Sequence, residues 1–277
     1  MTTHEEIEEA PIEVRGLTMQ YGPLVVMQEL SFRVRRGEIF VIMGGSGSGK
    51  STLMRHMIGL QEPEKGSILF EGVDFVEADL STRRDILRRM GVLYQNGALW
   101  SGLTLAENVA LPLEEYTDLD SEAIGEIASL KLALVGLKGF GAFYPSEISG
   151  GMRKRAALAR ATALDPEVLF FDEPSSGLDP ITASRLDDLI LQLRESFGTT
   201  VVVVSHDLAS IFKIGDRAVF LDIEQKTMTA LGTPEELREN PPTEEVRQFL
   251  TRSSEAGSPP DPEAPPDERH PPARQRL

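Results

Sequence analysis

The chain has 277 residues, 40% of them hydrophobic, no cysteine and a formal net charge of −16. That length is long for one compact core and short for two full domains, so one domain divided into lobes is expected. The lack of cysteine excludes disulfides and thiolate metal sites, and the acidic balance disfavours nucleic acid as the main partner, because duplex-binding proteins present basic surfaces. Apolar runs such as Ile39–Met43 and Val201–Val204 are far shorter than the ~20 residues of a membrane span. The opening MTTHEEIEEA lacks the apolar stretch of a signal peptide. A soluble chain is expected, one that reaches a membrane only by docking on a separate membrane protein.

In chain order, residues 1–10 read as a flexible arm. Over 12–36 apolar residues fall on alternate positions, as in Leu30-Ser31-Phe32-Arg33-Val34, the period of a half-buried strand. Glu38–Met43 is more continuously apolar, the pattern of a strand buried on both faces. It runs directly into the glycine-rich stretch Gly44–Thr52 and then into a helix through Leu60. Residues 67–76 predict a strand pair, or a strand with a turn, and 79–90 a basic helix. A helical lobe is expected over about 96–160, with Asp120 or Ser121 capping an amphipathic stretch at 122–135. Strands return at Val168–Asp172, Thr200–Ser205 and Ala218–Ile223, with helices between them. Asp179-Pro180 marks a helix start, an acceptor at the cap followed by proline where its missing N–H costs nothing. Thr233-Pro234-Glu235-Glu236 adds a capping box. The folded domain is expected to span 11–250. Residues 251–277 hold seven prolines, four basic and five acidic side chains, too little apolar surface to offset ordering entropy, so a disordered tail is expected.

Gly44-Gly45-Ser46-Gly47-Ser48-Gly49-Lys50-Ser51-Thr52 fits G-x-x-x-x-G-K-[ST] between a strand and a helix, the context of a phosphate-binding loop. Glycines let successive N–H groups turn inward on an anion, and the helix start adds its positive end. Lys50 is expected to reach the β and γ phosphates and Ser51 to ligate Mg²⁺. The competing reading, a flexible glycine–serine turn, does not explain the strand and helix around it. Val168–Phe171 leads into Asp172-Glu173: Asp172 would hold the Mg²⁺ shell and Glu173 would orient or deprotonate the attacking water, because phosphoryl transfer depends on positioning and charge stabilisation. Ser149-Gly150-Gly151 opens a helical run, Met152–Ala163, and forms a second anion site or merely a glycine-rich cap. A whole lobe separates it from the phosphate loop, so a head-to-tail pair of chains would supply it in trans. His206 follows a strand and could contact the γ phosphate, although a lone histidine there is usually structural. Gln95 could reach Mg²⁺ or water. Tyr21 could stack on adenine.

Taken in order, Tyr21, the loop 44–52, Gln95, Ser149-Gly150-Gly151, Asp172-Glu173, Ser176-Gly177-Leu178-Asp179 and His206 resemble the full motif set of ATP-binding cassette (ABC) ATPases, over about residues 12–250. The resemblance implies an α/β P-loop NTPase (RecA-like) core with an antiparallel β-subdomain and a helical signature subdomain. It also implies ATP and Mg²⁺ as cofactors, and a homodimer with Asp179 at its interface. The family signature usually ends in glutamine where this chain has Met152, which removes an amide donor and acceptor.

Tyr144–Ala156 and Tyr94–Thr104 look like the ATPase of bacterial Mla/Mce-type lipid transporters. That likeness implies ATP-driven phospholipid transport between inner and outer membranes. It places the chain peripherally at the cytoplasmic face of the inner membrane, with an integral-membrane permease and Mce-type and STAS-domain subunits. An importer ATPase for amino acids or metals, and a soluble ABC protein of translation or DNA repair, are the alternatives. Arg153-Lys154-Arg155 reads as an exposed basic helix face or a partner contact. Leu99-Trp100 reads either as core or as a seat for a permease helix.

Overall fold

The structure, a computed structural model, describes residues 10–255. The arm expected at 1–10 falls outside these residues except for Ala10, and so does all but 251–255 of the expected tail. The alternating stretch becomes two long strands, β1 (Ile12–Tyr21) and β2 (Leu24–Val34). With β4 (Lys65–Phe70) and β5 (Val73–Asp74) they form an antiparallel sheet of order β2-β1-β4-β5. Leu30, Phe32 and Val34 are buried while Ser31 and Arg33 are exposed, as a period of two requires.

The second sheet holds β3 (Ile39–Gly44), β6 (Met90–Leu93), β7 (Val168–Asp172), β8 (Thr200–Val204), β9 (Arg217–Asp222) and β10 (Thr227–Gly232). Its order is β10-β9-β3-β8-β7-β6, parallel except for β10, which is antiparallel to β9. The helices are α1 (Lys50–Met57), α2 (Leu80–Arg88), α3 (Leu105–Tyr116), α4 (Ser121–Leu134), α5 (Gly150–Ala161), α6 (Pro180–Phe197), α7 (Leu208–Ile214), α8 (Pro234–Glu239) and α9 (Glu244–Glu255). Asp120 caps α4 through the Ala123 N–H, and Asp179 caps α6 with Pro180 at its first position.

Strand β3 is buried at every position, and its two faces serve different cores. Phe40 and Ile42 meet β1, β2 and α1 residues such as Leu17, Met27 and Met54. Val41 and Met43 meet Ile211, Leu237 and Phe249 from α7, α8 and α9. A third core joins the sheet to the helical lobe, with Phe171 and Val203 against Val109, Leu132 and Leu158. Phe170 and Phe171, both fully buried, point to opposite faces of β7 and so serve two of these cores. Each such burial contributes about 1.5–3 kcal/mol.

Helix α9 continues to Glu255, so residues 251–255 are helical and not part of an unstructured tail. Val246, Phe249 and Leu250 are buried at helical spacing, and the Phe249 ring meets Phe220 edge-on at 5.4 Å.

Register fixes where the site forms. Asp172 lies opposite Val204, Ile42 opposite Val204, and Leu93 opposite Phe171. The segments leaving β3, β6, β7 and β8 therefore emerge side by side at one carboxyl edge of the sheet, where open α/β folds bind ligands.

Candidate functional site

Four of those exits converge on a cleft of about 730 Å³. Its lining includes Gly44 to Thr52 from the β3–α1 loop, Gln95 beyond β6, Glu173 beyond β7 and His206 beyond β8, with Tyr21 at the end of β1. Gly49 ends the loop at φ +83, where a Cβ would lie 2.8 Å from a Val26 methyl; only glycine suits both the left-handed backbone and the close approach. Helix α1 has no side-chain cap, which leaves its first N–H groups facing the cleft for an anion.

The Lys50 ammonium donates to the carbonyls of Gly44 (3.0 Å) and Gly45 (2.8 Å). Burial pushes its pKa down, opposed by the attraction of Glu173 and Asp172. The Ser51 hydroxyl donates to Asp172 Oδ1 at 2.9 Å. Glu173 is buried at φ 50, in the left-handed region that strains a side chain of this size. Its N–H donates to the Val204 carbonyl, and its own carbonyl accepts from the Ser176 N–H and from Lys154 Nζ, each at 3.1 Å. Glu173 Oε1 lies 2.7 Å from His206 Nδ1, while Oε2 is buried without a partner among the described residues. An ionised carboxylate can only accept, so His206 carries a proton on Nδ1 in this pair. Tyr21 donates its hydroxyl to Gln61 Oε1 at 3.1 Å and stands 3.5 Å from Thr52 Oγ1. Gln95 donates to Ser176 Oγ at 3.2 Å.

The remaining expected residues lie elsewhere. Ser149, Gly150, Gly151 and Asp179 line a separate cleft of about 660 Å³ that shares no lining residue with the first. In the single chain both polar residues act as helix caps: Ser149 Oγ accepts from the Met152 N–H, and Asp179 accepts from Ile181 and Thr182. Those bonds, the Thr182 hydroxyl first, hold the Asp179 carboxyl below its usual pKa. A Cβ on Gly151 would come within 2.8 Å of Thr182 Cγ2, so glycine is needed where α5 meets the start of α6. Met152 packs on the core and lines this second cleft.

Four contributions escape a reading of the motifs. Lys154 is not part of an exposed basic face: it is buried and bonded to the Glu173 carbonyl. It shares a helical face with Ala157, Leu158 and Ala161, all buried, and that register is the signal for it. Arg155 donates back to the Val135 carbonyl at 3.2 Å. Arg160 donates to the carbonyls of Gly97 and Ala98, bracing the segment after Gln95. Asn108, fully buried, accepts from the Trp100 N–H and donates to the Trp100, Leu103 and Thr104 carbonyls. It holds Trp100 in a groove with Leu60, Leu87 and Tyr116, where that ring is 66% exposed and not core.

Residues 27–176 match the family model described as ABC transporter. The chain is 43% identical to the intermembrane phospholipid transport system ATP-binding protein MlaF of Haemophilus influenzae, over 88% of this chain and 91% of that one. Against MlaF of Escherichia coli K12 it is 41% identical, over 86% of this chain and 88% of that one. It is also 40% identical to a probable ribonucleotide transport ATP-binding protein, mkl, of Mycobacterium tuberculosis, over 86% of this chain and 66% of that one. Among solved structures, the dimeric post-hydrolysis state of the ATP-binding cassette MJ0796, bound to ADP and Pi, superimposes with a TM-score of 0.73. The two are 29% identical, over 80% of this chain and 98% of that chain. With a glycine loop, an acidic strand end and a histidine aligned on one sheet edge, and with relatives matched over most of its length, the chain belongs to the ABC transporter family of ATPases.

Proposed function

We propose that this chain is the ATP-hydrolysing subunit of a bacterial phospholipid transporter, acting as a homodimer beneath a separate permease. The observation that carries the reading is the division of the expected nucleotide machinery between two clefts. One has the phosphate loop and the hydrolytic groups, and the other has Ser149, Gly150, Gly151 and Asp179. Two chains arranged head to tail bring each kind of cleft against the other kind, around two ATP molecules. The match to MlaF proteins over most of the chain supports phospholipid as the cargo.

In this reading the loop N–H groups, the start of α1 and Lys50 bind the phosphates, and Tyr21 stacks on the adenine. Ser51 and Asp172 offer adjacent hydroxyl and carboxylate oxygens, 2.9 Å apart, a hard-donor pair that fits Mg²⁺. Among the described residues no cluster of three or more His, Cys, Asp or Glu forms a complete cage. That also fits Mg²⁺, which commonly takes one or two protein oxygens and completes its shell with phosphate and water; Gln95 is close enough to the cleft to join them. Bound there, the ion would neutralise phosphate charge. Glu173, whose Oε2 has no partner among the described residues, orients or deprotonates the attacking water, and His206 fixes the Glu173 carboxylate. No described helix is long and apolar enough to cross a membrane, so coupling requires docking. The groove beside Trp100 is the seat we assign to a permease helix, and Mce-type and STAS-domain subunits would complete the complex at the cytoplasmic face of the inner membrane.

The test is to purify the tagged chain with its native membrane partners and reconstitute the complex in vesicles. A copurifying permease and Mce-type protein, with ATP-dependent movement of labelled phospholipid, is the expected result. Copurification of a periplasmic solute-binding protein, or stimulation by a ribonucleotide with no lipid movement, overturns the substrate assignment.

A further inference from the structure

Lys154 is a buried cation whose amine finds no carboxylate at bonding distance among the described residues. It is 7% exposed, and its one described hydrogen bond goes to a backbone carbonyl, that of Glu173, at 3.1 Å. Burying an ammonium is costly unless something specific repays the desolvation. Here burial opposes the charge, and Glu173 and Asp172 attract it.

The residue it holds is itself unusual. Glu173 sits at φ 50, a backbone state that persists in a non-glycine residue only when neighbours over-determine it. Its N–H is fixed by Val204 and its carbonyl by Ser176 and Lys154. Of these three restraints, the first two are backbone bonds that belong to the strand and the turn. Lys154 supplies the one side-chain bond of the three, and it comes from helix α5. One turn earlier the same helix begins with Gly150 and Gly151, capped by Ser149.

We propose that Lys154 is a positioning residue for hydrolysis, which fixes the strained backbone of Glu173 through its carbonyl and ties that residue to the helix whose first turn faces the other chain's ATP. The inference rests on the assignment of Glu173 as the hydrolytic carboxylate. It deepens that assignment, because closure of one cleft on nucleotide then bears directly on the reactive group of the neighbouring cleft. The geometry needs a cationic or strongly donating side chain of lysine's length. An apolar side chain of similar length would fill the space and leave the Glu173 carbonyl to the Ser176 N–H.

The experiment compares wild type, Lys154→Met, Lys154→Arg and Glu173→Gln in the full-length chain within its complex, following turnover, KM for ATP and melting temperature. Dimer mass in ATP is read by light scattering. Lys154→Met is expected to lose about ten- to hundredfold in kcat, the weight of one charge-assisted hydrogen bond. KM for ATP should change less than about threefold, because the phosphate loop is untouched. The ATP-bound dimer should accumulate, as in Glu173→Gln, and Lys154→Arg should recover most of the turnover. If Lys154→Met does not fold, Lys154→Leu, which also removes the donor, is read on the same scale. A slow Glu173→Gln with wild-type kcat in the Lys154 variant overturns this proposal alone. Wild-type turnover in Glu173→Gln overturns the underlying assignment. Equal losses in kcat and melting temperature for the Met and Arg variants also overturn the proposal, since packing would then account for the effect.

Discussion

The two clefts differ in how far each is already built. Around the phosphate loop the polar groups are engaged with one another: Lys50 on two carbonyls, Ser51 on Asp172, Glu173 on His206. In the second cleft Ser149 and Asp179 do no more than cap their own helices. In the function proposed for the chain, the first is a preorganised chemical site, in which charge and strain are held ready. In the same reading the second is a surface, whose helix start acts only when a second chain brings its nucleotide to it. Changes in the first cleft should therefore alter binding or chemistry in each chain, whereas changes in the second should alter only what happens between chains.

The largest effect that would test this contrast is in Glu173→Gln. Turnover should fall by about 10²–10³-fold, as when one well-placed catalytic interaction is removed, with ATP still bound; rapid-quench hydrolysis and equilibrium binding read the two quantities. Next, Lys50→Ala should raise the ATP dissociation constant roughly ten- to hundredfold, since charge-assisted bonds to phosphate are lost. Unchanged affinity by calorimetry would show that the first cleft is not the phosphate site.

A third prediction concerns the seam between the clefts. Asp187 lies on α6, which starts at the second cleft, and Ser210 lies on α7, which follows His206 at the first. Asp187 is buried, accepts from Ser210 at 3.0 Å, and has its pKa pushed up to about 6 by desolvation. Because the folded value exceeds the unfolded one of 3.8, ionisation opposes folding. The penalty is absent below about pH 4, grows through pH 4–6 and is complete above that. Asp187→Asn should therefore stabilise the chain at pH 7.5 by on the order of 2 kcal/mol, with the gain shrinking toward zero near pH 4. Denaturant unfolding at several pH values reads it, and a gain that does not vary with pH would contradict the assignment. The smallest effect is in Met152→Gln. It restores the common signature residue on a partly exposed position, so steady-state turnover should stay within about twofold of wild type.

The sequence was most legible where one residue type has one physical use. The glycine loop, the caps at Asp120, Asp179 and Thr233 and the fully apolar β3 all lie where local chemistry puts them. It was least legible where neighbours decide. Strand β6 is four residues long and contains Gly91, where a Cβ would stand 2.1 Å from the Ala161 carbonyl; α5 sets that requirement, not strand propensity. Strand β10 follows the turn after β9 and is specified by pairing with it. Trp100 looks like core by composition and is exposed because Asn108 fixes its loop from below. Lys154 carries only the mark of its register beside Ala157, Leu158 and Ala161, and nothing local names its partner, the Glu173 carbonyl.

The stapling of residues 97–104 has a mechanical consequence. The near end of this loop is tied to α5 by Arg160, and the far end to α3 by Asn108. A push on the exposed indole is therefore not absorbed by a slack connector. It would load two helices packed in one core, α3 and α5, the second of which reaches Glu173 through the Lys154 side chain.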